Sequence, residues 1–99
     1  MFKDLDPILH SQLRLSIVSI LMSVDEANFT FIKDETQATS GNLSIQIKKL
    51  QDAGYVDVKK SFKNNYPNTS LSITKKGIEA FEKYVSNLKR YINPNLPGT

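Results

Sequence analysis

At Gly54 the chain changes its hydrophobic period, and that change restricts the folds open to it. Before it, Leu43, Ile47 and Leu50 recur at spacings of four and three, the narrow apolar seam of a helix with one buried side. After it, Tyr55-Val56-Asp57-Val58-Lys59 alternates and is rich in β-formers, which is the period of a half-buried strand. Gly54 stands where a left-handed residue closes a helix. Thr39 and Ser40 stand where N-caps open one. A helix over about 39–53 therefore runs directly into a strand.

The flanking segments complete the pattern. Residues 61–68 contain Asn64-Asn65 and Tyr66-Pro67, which are turn-formers, and Ser70-Leu71-Ser72-Ile73 alternates again, so it returns antiparallel to the first strand. The hairpin spans about 55–73. Thr74 caps a last, long helix with Ile78, Phe81, Val85, Leu88 and Ile92 on one face, and Asn93-Pro94 stops it. Upstream, Pro7 reads as the first turn of a helix. Leu9, Leu13, Ile17, Ile20 and Val24 form its stripe, which Ile8, Leu15, Val18 and Met22 broaden past half the circumference. So apolar a helix must be covered on several sides, as the central helix of a domain is. Asp25-Glu26-Ala27-Asn28 reads as a turn, Phe29-Thr30-Phe31 as a short extended piece and Ile32 to Gln37 as a short helix. The expected chain is one domain over 1–93 with a flexible tail at 94–99. Its fold class is α+β, mostly helical. Two helices joined by a tight turn precede a hairpin, the layout of a winged helix-turn-helix with a two- to three-stranded antiparallel wing and a long C-terminal helix.

Charge points to a partner. From Met1 to Thr36 three basic residues (Lys3, Arg14, Lys33) face six acids (Asp4, Asp6, Asp25, Glu26, Asp34, Glu35), a net −3. From Gln37 to Lys76 seven lysines (Lys48, Lys49, Lys59, Lys60, Lys63, Lys75, Lys76) face only Asp52 and Asp57, a net +5. One central positive block is what a polyanion-binding face requires, although a solvated lysine-rich surface has the same charge. Catalysis finds no support. There is no cysteine, which removes a disulfide framework, a thiolate metal site and a Cys nucleophile together. His10 is the sole histidine and has no second ligand, so it suits a structural hydrogen bond better than a metal. No nucleophile elbow or Gly-rich phosphate loop is present, and neither a cofactor nor a metal is expected. The acidic start does not fit a signal peptide, and Leu13 to Val24 is too short and too interrupted by Arg14, Ser16, Ser19 and Ser23 to span a bilayer. A cytoplasmic protein away from membranes is expected.

The run from Thr39-Ser40-Gly41-Asn42-Leu43-Ser44-Ile45-Gln46-Ile47-Lys48-Lys49-Leu50 through Gly54-Tyr55-Val56 resembles the recognition helix and first wing strand of small MarR/ArsR-like winged helix regulators. The likeness continues through Val58-Lys59-Lys60-Ser61-Phe62, Leu71-Ser72-Ile73-Thr74-Lys75-Lys76-Gly77 and the Phe81–Ile92 helix. Upstream, His10 and Arg14-Leu15-Ser16-Ile17 resemble the family's first helix. It implies a regulator of transcription, a repressor by expectation, with double-stranded DNA as partner. The helix at about 39–53 would enter the major groove, with the wing at about 55–73 on the backbone or minor groove. The implied groove-facing residues are Ser40, Asn42, Ser44, Gln46 and Lys49, with Lys48 toward the phosphates and the N–H groups of Thr39 to Asn42 open to a phosphate. Lys59, Lys60, Lys63, Asn64 and Asn65 would grip DNA from the wing, or else protect an edge strand from aggregation.

Ile45 departs from the family habit of a polar or basic residue, and suits a thymine methyl or a neighbouring element equally. It is also the feature that favours a second reading, a winged protein-interaction module without DNA. An RNA-binding role fits less well, since the recognition helix lacks a stacking platform. Specific sites are commonly read by two-fold dimers. The broad first helix and the long last one supply the expected homodimer surface: Leu9, Leu13, Phe81, Tyr84, Val85, Leu88, Tyr91 and Ile92.

Overall fold

A computed structural model of the chain describes residues 2–93, so the expected tail at 94–99 lies outside the described residues. The order is α1 (Gln12–Met22), β1 (Ala27–Asn28), α2 (Phe29–Thr36), α3 (Ser40–Asp52), β2 (Val56–Lys63), β3 (Tyr66–Ile73) and α4 (Lys75–Ile92). The three strands form one antiparallel sheet in the order β1-β3-β2. This is the winged helix fold, and α1 is its central helix, packed against α2, α3, α4 and β3. Ile17, Val18 and Leu21 of α1 meet Ile32, Leu43, Leu50, Val56 and Leu71 in the core, all at 0–2% exposure.

Caps set most boundaries. Thr39 Oγ1 accepts the Asn42 N–H at 3.2 Å and Thr74 Oγ1 accepts the Gly77 N–H at 3.0 Å, so α3 and α4 begin where the sequence places them. Two starts differ from expectation. Asn28 Oδ1 accepts the Phe31 N–H at 2.7 Å, so α2 begins at Phe29, and the extended piece is Ala27–Asn28 instead of Phe29–Phe31. Pro7 opens a separate turn, with α1 starting only at Gln12. Asp6 accepts from the Ile8 N–H through its side chain and from the Leu9 and His10 N–H groups through its carbonyl, while Arg14 takes the Ile8 carbonyl that a continuous helix would need.

The hairpin spans the expected residues, but its strands are longer and its turn tighter than expected. Asn64 and Asn65, at φ 53° and 65°, make a two-residue turn whose left-handed conformation asparagine tolerates and whose twist matches the strands. Residues 61–63 and 66–68 are thereby in strands. Pro67 is admitted because it faces Phe62 at a position next to the closing pair, where its nitrogen points away from β2.

Thr74 is the junction of the fold. Its hydroxyl donates to the Gly54 carbonyl at 2.7 Å and its N–H donates to the Tyr55 carbonyl at 3.1 Å, tying the end of α3, the root of the wing and the start of α4. Gly54 adopts the expected left-handed conformation, at φ 81°. The α3 seam is the other anchor: Leu50→Ala is expected to cost about 2–5 kcal/mol of stability, read from urea unfolding, because the site is fully enclosed.

Candidate nucleic-acid interface

With Leu43, Ile47 and Leu50 buried, the 100° step of an α-helix turns Gly41, Ile45 and Lys48 directly outward. Asn42, Gln46 and Lys49 form the flank toward α1, and Ser40, Ser44 and Gln51 the flank toward the wing. All of these are exposed except Gln46, which is half-buried. Ile45 is 57% exposed, so it does not pack against a neighbouring element of its own chain.

The helix start is partly used within the chain. The Asn42 N–H is capped by Thr39 Oγ1, which reduces the expected anion-binding group to the N–H groups of Thr39, Ser40 and Gly41, and the next N–H, that of Leu43, goes to the Thr39 carbonyl. Lys48 Nζ lies 2.6 Å from Asp52 Oδ1, an exposed pair one turn apart that draws Lys48 toward the helix C-terminus.

The wing presents two chemically different faces. Strand alternation and the pairing Val58↔Leu71, Lys60↔Thr69 and Phe62↔Pro67 put these residues on one face. Lys59, Ser61 and Lys63 lie on the other, with Ser70, Asn68 and Tyr66. Lys60 and Thr69 share a groove of about 350 Å³ with Ser44, Lys48 and Gln51 of α3. The sequence grouped Lys59, Lys60 and Lys63 together; the register separates them, with only Lys60 on the α3 side. Asn64 and Asn65 form the tip, between Phe62 and Tyr66, which are 79% and 74% exposed.

Arg14 has a role here that the sequence alone does not assign. Its Nε donates to the Ile8 carbonyl at 2.6 Å, its Nη2 to the Pro7 carbonyl at 3.4 Å and its Nη1 to Gln46 Oε1 at 2.5 Å. Gln46 Nε2 in turn donates to Asn42 Oδ1 at 3.1 Å. A charge inside so apolar a helix requires a partner, and that requirement was the available signal. Nearby, the Tyr55 hydroxyl donates to Asp6 across the wing root. Burial, then the Asp6 hydrogen bond and its charge, push the Tyr55 pKa up to about 12, so the phenol keeps its proton through the neutral range. His10 Nδ1 pairs with the Tyr84 hydroxyl at 3.1 Å, a structural contact.

Of the expected dimer residues, Leu9 and Tyr84 lie inside the protomer at 0% and 5% exposure and serve its own core. Leu13, Phe81, Val85 and Leu88 are half-buried, and Ile92 is 76% exposed. Tyr91 is engaged by its own chain: its hydroxyl donates to the Lys3 carbonyl at 2.7 Å, and its ring centroid is 4.9 Å from that of Phe2.

A family model described as a winged helix DNA-binding domain matches residues 13–92. An uncharacterized protein of Methanocaldococcus jannaschii is 35% identical over 78 residues, covering 79% of this chain and 85% of its own length. Among solved structures, the transcriptional regulator homologue protein of Pyrococcus horikoshii OT3 matches with a TM-score of 0.82 and 32% identity, over 90% of this chain and 89% of its own. Bacillus subtilis PadR, solved in complex with operator DNA, matches with a TM-score of 0.68 over 87% of this chain and 60% of its own. At 16% identity that second likeness is one of fold.

Proposed function

The chain belongs to the winged helix DNA-binding domain family and is a DNA-binding regulator of transcription; from that premise we propose how it engages its site. The outward side of α3 enters the major groove, with Ser40, Asn42, Ser44 and Lys49 at the base edges and Ile45 against a thymine methyl. Lys60 reaches the backbone beside it, and Lys59, Lys63, Asn64 and Asn65 approach from the wing's other face and tip. The observation that supports this most is the shared groove, in which the polar flank of α3 and Lys60 of β2 face the same space.

The working unit is a homodimer that represses by occupying a promoter in the cytoplasm, with no chemical step. Ile78, Phe81, Val85, Leu88 and Ile92 repeat at three, four, three and four residues along α4, the spacing of a helix–helix seam. Gly77 and Tyr84 are the buried residues of that helix, and Phe81 and Leu88 also pack against the protomer's own core, so the part of the seam open to a partner is Ile78, Val85 and Ile92. Among the described residues no helix is long and apolar enough to cross a membrane. Selecting bound fragments from a random duplex library tests the proposal. The expected result is a two-fold sequence whose half-sites lie one helical turn, about 10 base pairs, or a multiple of it apart. Recovery of no enriched duplex at low salt would sink the base-reading role. A single asymmetric half-site would sink the dimer.

A further inference from the structure

We infer that Arg14, Gln46 and Asn42 form a polarised relay that makes Asn42 a hydrogen-bond donor toward the groove, selecting a base with an acceptor edge, guanine above all. The inference rests on the duplex-binding role proposed above and adds the chemistry of one base position to it.

Polarity follows from what each group can do. An amide side chain ordinarily offers either end, because its oxygen accepts and its nitrogen donates. A guanidinium only donates. Arg14 Nη1 at 2.5 Å therefore fixes the Gln46 amide with Oε1 toward α1. That leaves Gln46 Nε2 as the group facing Asn42, and it lies 3.1 Å from Asn42 Oδ1. The Asn42 oxygen is turned back along the helix to meet this donor, and its amino group is the end left facing outward. Arg14 cannot easily give way, since Nε and Nη2 are also held by the Ile8 and Pro7 carbonyls. Asn42 is exposed in the first turn of α3, where recognition helices contact bases.

The consequence differs from the usual expectation for asparagine. Its familiar bidentate contact with adenine uses the oxygen to accept from N6 and the nitrogen to donate to N7. With the oxygen drawn to Gln46, the outward NH₂ is complementary to the two adjacent acceptors of guanine, N7 and O6. Gln46, expected from sequence to read bases, acts instead as a positioning residue for Asn42.

Gln46→Glu tests the relay by reversing it. Both carboxylate oxygens accept, so one keeps Arg14 and the other takes the Asn42 amino group, turning the Asn42 oxygen outward. Wild type is expected to prefer guanine by about tenfold at one position of each half-site, and Gln46→Glu to move that preference to cytosine or adenine, which present amino donors. Asn42→Asp, an exposed exchange at a helix start that tolerates acids, is expected to shift the same position in the same direction. Affinities for the selected site with each of the four bases at that position give the readout, with far-ultraviolet circular dichroism confirming that each variant is folded. An unchanged preference in both folded variants overturns the relay while leaving duplex binding intact. A uniform loss over all four bases also overturns it, because it would make Asn42 a phosphate contact. If wild type binds no duplex, the proposed function and the relay fall together.

Discussion

Gly77→Ala is expected to destabilise the domain by about 3 kcal/mol, although alanine is by itself the better helix former by about 1 kcal/mol. A Cβ at this position would lie 2.2 Å from the Tyr55 carbonyl oxygen and 2.9 Å from Ile73 Cγ1. The nearer atom is backbone at the root of the wing, so relief requires moving α4 or the hairpin, and steric overlap outweighs propensity. Gly41→Ala supplies the contrast: no atom lies within 4 Å of its built Cβ, and the residue is exposed in α3. There the propensity term is unopposed, and stability should rise by up to about 1 kcal/mol. Thermal unfolding of the two variants should give midpoints displaced in opposite directions, by about 4–8 °C per kcal/mol in a domain of this size. A raised midpoint for Gly77→Ala would mean that α4 and Tyr55 can part at little cost, and a lowered one for Gly41→Ala that propensity does not decide at that position.

Raising salt from 50 to 200 mM is expected to weaken binding to the selected site by about three to four orders of magnitude. The estimate takes roughly six to eight phosphate contacts for a dimer, giving a log–log slope of about −5 to −7. Lys60→Gln should make that slope shallower by about one for each protomer and weaken binding to every sequence alike. Lys59→Gln, on the opposite face of the same strand, should have the smaller effect. Titration by fluorescence anisotropy at several salt concentrations measures both. A slope near zero, or equal effects of the two lysines, would contradict the placement of Lys60 beside α3.

The recognition element was legible because its signals are local. The seam of Leu43, Ile47 and Leu50, the caps Thr39 and Thr74, and the left-handed Gly54 each act within a few residues of where they stand. The starts of α1 and α2 were missed because one side chain decided each. Asp6 caps a separate turn, and Asn28 caps a helix where a turn was expected. The hairpin's extent is legible but its strands run further than the sequence indicates, because Asn64-Asn65 alone suffices as the turn and Pro67 is harmless only in the register the strands adopt. Two features of the site depend on tertiary contact. The separation of Lys60 from Lys59 and Lys63 requires knowing which face of the strand meets α3. Gln46 reads as a free polar group until Arg14, 32 positions earlier, is brought beside it.

The three-way tie at Thr74 bears on how an operator is measured. Because one hydroxyl and one N–H clamp the end of α3, the root of the wing and the start of α4, α3 is not hinged to α4, the helix proposed to join the protomers. In a dimer built on α4, the distance and phase between the two reading heads are then properties of the protein, a ruler of fixed length. An added base pair between half-sites rotates one of them by about a tenth of a turn. A hinged head would follow that rotation at little cost, whereas this one must twist the DNA or give up half of its contacts.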